Sequence, residues 1–179
     1  MFLSRRRVIL IGVIAAVASA IILLPLILTV TLPADLNNVT IALSNVSAMA
    51  PDTENDSRRI QLNVYFNVYN PTQKTLTTSK IEYELFANGV PLGQGILSYE
   101  DIPLNGRPQL YYNSTTTLKS PFELIYSNSS AKLFNNMVQN PQAAKQIKWK
   151  VEGEAQIESG FSSYPKRFSS ELRFHSNNN

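Results

Sequence analysis

The chain has 179 residues, 44% of them hydrophobic, and no cysteine, which excludes disulfides and thiolate metal sites. Its 16 Lys+Arg against 13 Asp+Glu give a formal charge of +3, and Arg5, Arg6 and Arg7 supply that whole excess. The residues after 32 are therefore neutral overall, without the electrostatic footprint that a nucleic-acid backbone requires.

Behind the arginines run residues 8–32, VILIGVIAAVASAIILLPLILTVTL, with no charged side chain. As a helix rising 1.5 Å per residue this run reaches about 37 Å, enough to cross a hydrocarbon core of about 30 Å. Pro25 is expected to kink it, a fault that membrane helices tolerate. By the positive-inside rule, the topology-setting Arg5, Arg6 and Arg7 hold residues 1–7 in the cytoplasm as a basic tail. Everything after the helix then lies outside. The expected location is the cell membrane, single-pass, with the lipid bilayer as the partner of residues 8–32. The alternative is a signal peptide cut after Ala20, since Ala18-Ser19-Ala20 has the small-x-small form of a cleavage site. That cut would leave the apolar Ile21-Ile22-Leu23-Leu24 at a new amino terminus.

Residues 33–38 read as a spacer, and 39–175 as one extracytoplasmic domain. Val39, Ile41 and Leu43 alternate with polar neighbours, the period of a half-buried strand. Residues 50–59 are polar and read as a loop. In 60–69 the alternation is strongest, with Ile60, Leu62, Val64, Phe66 and Val68 on one face, and Asn70-Pro71-Thr72 ends it. Residues 80–87 alternate again, with Ile81, Tyr83 and Leu85 inward. Asn88-Gly89 marks a hairpin, because both residues tolerate positive φ. In the return strand, 92–99, Gly93 and Gly95 signal a bulge or a close backbone approach.

Residues 109–118 form the next expected strand. Ser120-Pro121-Phe122-Glu123 has the form of a helix start, with a serine cap, a first-turn proline and a glutamate three residues on. A second helical stretch is predicted over 131–139, so that 122–139 makes a helical insertion. Residues 147–157 alternate strictly, with Ile147, Trp149, Val151, Ala155 and Ile157 inward. Phe168, Leu172 and Phe174 mark a last strand, and 176–179 is expected to be a disordered tail. Short alternating strands with helix in one connection predict an all-β, two-sheet antiparallel sandwich behind one transmembrane helix.

From Asn70-Pro71-Thr72 onward the chain resembles a known family. Val68-Tyr69-Asn70-Pro71, Ile81-Glu82-Tyr83-Glu84-Leu85-Phe86, Asn88-Gly89 and Leu92-Gly93-Gln94-Gly95 are similar to the start of the group-2 late-embryogenesis-abundant (LEA) domain. This domain is also called the water-stress-and-hypersensitive-response (WHy) domain. Trp149-Lys150-Val151-Glu152-Gly153-Glu154-Ala155 resembles its second signature strand. The resemblance implies a fibronectin/Ig-like sandwich without enzymatic activity, tied to desiccation, osmotic or membrane stress. Some members carry an amino-terminal membrane helix. The family transfers no catalytic residue, cofactor or metal, and none is predicted here.

The residues read on their own agree with this. His175, the only histidine, stands four residues from the end. Glu152 and Glu154 share a strand face at a spacing glycosidase carboxylates can show, yet Lys148 and Lys150 flank them as on a solvated sheet. Asp52, Glu54 and Asp56 alternate in a loop that lacks the glycine and distal glutamate of an EF-hand. Asn38, Asn45, Asn55, Asn113 and Asn128 each head an N-x-[ST] sequon, with the loop residues Asn55 and Asn128 the expected acceptors. Tyr65, Tyr69, Tyr111 and Tyr112 fall on outward positions, a packing layer or a binding face. Two functions follow as expectations. One is a non-catalytic binding or stress-protective domain, and the alternative is an accessory subunit with protein partners at the cell surface.

Overall fold

A computed structural model describes residues 12–23, 34–49, 59–160 and 162–172. The chain divides into two compact units, Met1–Ala34 and Asp35–Asn179. In the first, residues 12–23 form a helix (α1) whose side chains are exposed. Among the described residues no helix is long and apolar enough to cross a membrane. The expected span 8–32 is thus described only at its centre. Pro25, the tail 1–7 with its arginines, and the tail 176–179 lie outside the described residues.

Among the described residues the second unit is a sandwich of eight strands: β1 (Thr40–Ala48), β2 (Arg59–Asn70), β3 (Leu76–Ala87), β4 (Val90–Ser98), β5 (Gln109–Leu110), β6 (Ser114–Ile125), β7 (Trp149–Ser159) and β8 (Ser162–Glu171). One sheet has the order β1-β2-β6; the other has β4-β3-β7-β8, with β5 also pairing with β3. All pairings are antiparallel. The alternation read in β2 is physical: Ile60, Leu62, Val64, Phe66 and Val68 are all buried. Each such side chain contributes on the order of 1.5–3 kcal/mol by leaving water. A bulge between Leu43 and Asn45 resets β1, so Val46 points inward after Ile41 and Leu43. At the Asn88-Gly89 hairpin both residues have positive φ, 51° and 84°.

Two expectations need correction. Ser120-Pro121-Phe122-Glu123 starts no helix but lies within β6. Leu118, Ser120, Phe122 and Leu124 are buried in strict period two, and that burial outweighs the local capping pattern. Pro121 is tolerated because β6 is an edge strand. The helical insertion therefore shrinks to α2 (Ala131–Gln139) and a 3-10 helix, Pro141–Gln146. Second, the strand expected over 109–118 is broken. β5 ends at Leu110, and Asn113, at φ 48°, turns the chain into β6.

Tyr83 ties the two sheets together. It stands on β3, and its ring lies edge-on to Phe66 of β2, centroids 4.9 Å apart, with Phe122 of β6 at 6.3 Å. Its hydroxyl donates to Ser120 Oγ of β6 at 3.0 Å. The ring fits because Gly95, opposite it on β4, has no Cβ, while Gly153, opposite it on β7, lets the two backbones come close. A Cβ on Gly95 would stand 2.3 Å from Tyr83 Cζ, and one on Gly153 would stand 2.1 Å from the Glu82 carbonyl oxygen. Trp149, fully buried, closes one end by donating its indole N–H to the Ala144 carbonyl at 2.8 Å.

Gly153→Ala forces β3 and β7 apart and is expected to cost about 2–3 kcal/mol, in the range of core overpacking. Urea unfolding of the full-length protein measures this. A loss below about 0.5 kcal/mol would show that the strands part freely, against the usual cost of such a clash.

Candidate functional surface

Part of the family-like motifs is built into the interior, including Asn70, Ile81, Tyr83, Leu85, Trp149, Val151 and Ala155. Asn70, at the end of β2, is fully buried, one step along the inward series from Val68. Its Nδ2 donates to the carbonyls of Lys74 and Leu110, both at 2.8 Å. Its Oδ1 accepts from the Thr72 amide at 3.0 Å and the Thr72 hydroxyl at 2.8 Å. One carboxamide thus satisfies the corner where the chain leaves one sheet for the other. Only an amide supplies both two donors and an acceptor there.

On the five-stranded sheet the outer face is charged. In register, Glu82 lies opposite Glu154, and Glu84 opposite Glu152. Like charges directly across a sheet repel, and cations answer them. Lys80 Nζ is 2.6 Å from Glu82, Lys150 Nζ 2.6 Å from Glu152, and Arg167 Nε 3.4 Å from Glu154. The Glu82 hydrogen bond holds the Lys80 ammonium above its ordinary pKa, and the Glu152 hydrogen bond does the same for Lys150. Glu84 is half-buried and has no ion pair among the described residues. A shallow groove of about 400 Å³ runs over these glutamates with Gln94, Ile96 and Arg167. Glu152 and Glu154 therefore sit on a solvated, ion-paired sheet face.

The three-stranded sheet presents a different surface. Tyr65, Asn67 and Tyr69 of β2 face outward, opposite Lys119, Thr117 and Thr115 of β6. Thr117 Oγ1 donates to Asn67 Oδ1 at 2.8 Å, and the Tyr69 hydroxyl donates to Asn113 Oδ1 at 2.7 Å. Tyr111 and Tyr112 stand free in the β5–β6 turn, 61% and 57% exposed.

Of the sequon residues, Asn38, Asn45, Asn113 and Asn128 are exposed, and Asn55 lies outside the described residues. So do His175 and the loop carboxylates Asp52, Glu54 and Asp56. Among the described residues no group of three His, Asp or Glu side chains could hold a metal ion.

One pair had no sequence signal. Arg107 Nη1 lies 2.7 and 2.6 Å from the two Glu158 carboxylate oxygens, 51 residues away. Arg107 Nε also donates to the Ile102 carbonyl at 2.8 Å, which clamps residues 99–107 to β7. Burial alone would raise the Glu158 pKa, but the Arg107 guanidinium and the Ser79 and Thr77 hydroxyls overcome it and hold the carboxyl below its ordinary value.

No family model matches the chain, and no curated protein matches it. Solved structures with a similar fold include a protein from Archaeoglobus fulgidus, 20% identical at a TM-score of 0.40, covering 76% of this chain and 98% of that one. Another is an Arabidopsis thaliana protein, 13% identical at 0.46, covering 75% and 80%. A third is a candidate late embryogenesis abundant protein, 15% identical at 0.39, covering 94% and 89%. Likenesses this distant assign neither a family nor an activity.

Asn70→Asp is expected to cost at least as much stability as Asn70→Ala, about 3 kcal/mol, because the carboxylate cannot donate to Lys74 and Leu110 and adds a buried charge. Equal stability of wild type and Asn70→Asp in chemical unfolding would refute the donor role. For Glu158, a depressed folded pKa means stability that is present above the ordinary carboxyl value and lost as pH falls through the folded one. Melting temperature should therefore fall more steeply below about pH 4.5 in wild type than in Glu158→Gln. Parallel curves would contradict this.

Proposed function

We propose that this chain is a membrane-anchored, extracytoplasmic β-sandwich of LEA/WHy type that acts by binding or shielding, without catalysis, in protection against drying or osmotic stress. The observation that carries this reading is where the signature residues fall. Asn70, Tyr83, Gly95, Trp149 and Gly153 serve the corner, the core and strand approach. With these residues spent on stability, function is left to the two outer sheet faces, on one of which the motif residues Glu82, Glu84, Glu152 and Glu154 stand. The polar, hydrated character of both faces suits a shielding role.

The anchor is supported by α1. Val13, Ile14, Val17, Ile21, Ile22 and Leu23 are each more than half exposed, on a helix without a polar stripe. A helix apolar on all sides needs a core or a bilayer around it. The sequence continues apolar to residue 32, as a span requires.

Full-length protein expressed in its host should stay with membranes through an alkaline carbonate wash. External protease should remove its carboxy-terminal domain from intact cells. Release by carbonate, or a protected domain, would overturn the address. Survival after drying or osmotic shock should drop when the gene is deleted, and unchanged survival would overturn the protective role.

A second reading, an accessory subunit of a surface assembly, is favoured by the adjacent Tyr111 and Tyr112, exposed at the tip of one turn. Paired exposed aromatics are enriched at interfaces. A defined larger species after cross-linking in the native membrane is its signature; a strictly monomeric protein removes it.

A further inference from the structure

The four sequons within the described residues are not equivalent once folded. In Asn128-Ser129-Ser130 the required hydroxyl is inaccessible: Ser130 is buried, and its Oγ bonds the Ser127 amide at 3.1 Å and the Ser127 hydroxyl at 2.8 Å. In Asn38-Val39-Thr40 the central Val39 is fully buried. Asn45-Val46-Ser47 lies inside β1, its backbone paired with β2 and its Val46 buried. In Asn113-Ser114-Thr115, by contrast, Asn113 sits at a turn with φ 48°, and both Asn113 and Thr115 are exposed.

We propose that Asn113 is an N-glycan attachment site and that its glycan lies along the Tyr69–Tyr65 stripe of β2. The Tyr69 hydroxyl donates to Asn113 Oδ1 at 2.7 Å, which fixes the carboxamide and leaves Nδ2 as the open position. Tyr69 lies opposite Thr115, Asn67 opposite Thr117, and Tyr65 opposite Lys119. A chain starting at Nδ2 therefore meets one aromatic ring at once and a second about 13 Å further along the strand. Tyrosine offers an apolar ring with a polar tip, the combination that the C–H faces and hydroxyls of a sugar match. Asn67, Thr115 and Thr117 supply neutral hydrogen-bonding groups between the rings.

The donor class is a lipid-phosphate-linked oligosaccharide. The bond between its anomeric carbon and the phosphate oxygen breaks, a carbon–nitrogen bond to Asn113 Nδ2 forms, and one amide proton leaves while the phosphate departs with the bonding pair. The inference rests on the extracytoplasmic reading, because such transfer takes place outside the cytoplasm.

Glycopeptide mass spectrometry of full-length protein from its native membrane tests it, paired with external proteolysis of intact cells. The expected result is a glycan on the Asn113 peptide, lost in both Asn113→Gln and Thr115→Ala. Enzymatic removal of the glycan should lower the melting temperature of wild type by a few degrees, and of Tyr65→Ala by less. An unmodified Asn113 peptide on an externally digested domain overturns this inference and leaves the location intact. An unmodified peptide on a protected domain overturns both. Equal shifts in wild type and Tyr65→Ala overturn the stripe.

Discussion

Tyr83 is the side chain on which the sandwich depends. Two antiparallel sheets each bury one face, and the burial is non-directional. It holds them together without saying how they align. Tyr83 supplies direction, because its ring reaches Phe66 and Phe122 and its hydroxyl finds Ser120 on the opposite sheet. That reach is possible because Gly95 lacks a Cβ that would meet the ring, while Gly153 lets the β7 backbone approach Glu82. Burial pushes the Tyr83 phenol pKa up, so it remains a neutral donor across the ordinary pH range.

With the interior fixed this way, the two outer faces are free to differ. One carries a square of four glutamates answered by Lys80, Lys150 and Arg167. The other is a mostly neutral strip of tyrosine, threonine and asparagine. Exposed ion pairs contribute little to stability, so the charged face serves hydration more than folding. The neutral strip, with its rings and uncharged hydrogen-bonding groups, suits uncharged, hydroxyl-rich chemistry.

Strands were legible wherever period-two burial ran without interruption, as in β2, β7 and residues 80–87 of β3; the start of β3, where Thr78 and Ser79 are both buried and the register shifts, was not. The Asn88-Gly89 turn and the close approach at Gly95 were legible because glycine and asparagine have few other reasons to stand there. Ser120-Pro121-Phe122-Glu123 misled because capping is a local signal, whereas Ser120 is held by Tyr83 from the other sheet. Asn70 was half legible. Its parity with Val68 places it inward, and Thr72 and Lys74 are local partners, but its fourth bond appears only when Leu110 arrives from another strand. Arg107 and Glu158 left no trace, since nothing local links residues 51 positions apart.

Residue-resolved hydrogen exchange on the full-length protein tests the role of Tyr83 most directly. If Tyr83 and its glycine-cut seat hold the two sheets in place, the amides of Tyr83, Leu85 and Gly153 should exchange only through global unfolding, at the slowest rate in the domain. Exchange of these amides through local opening, faster than that of the β2 amides, would contradict the account and place the organising contact elsewhere.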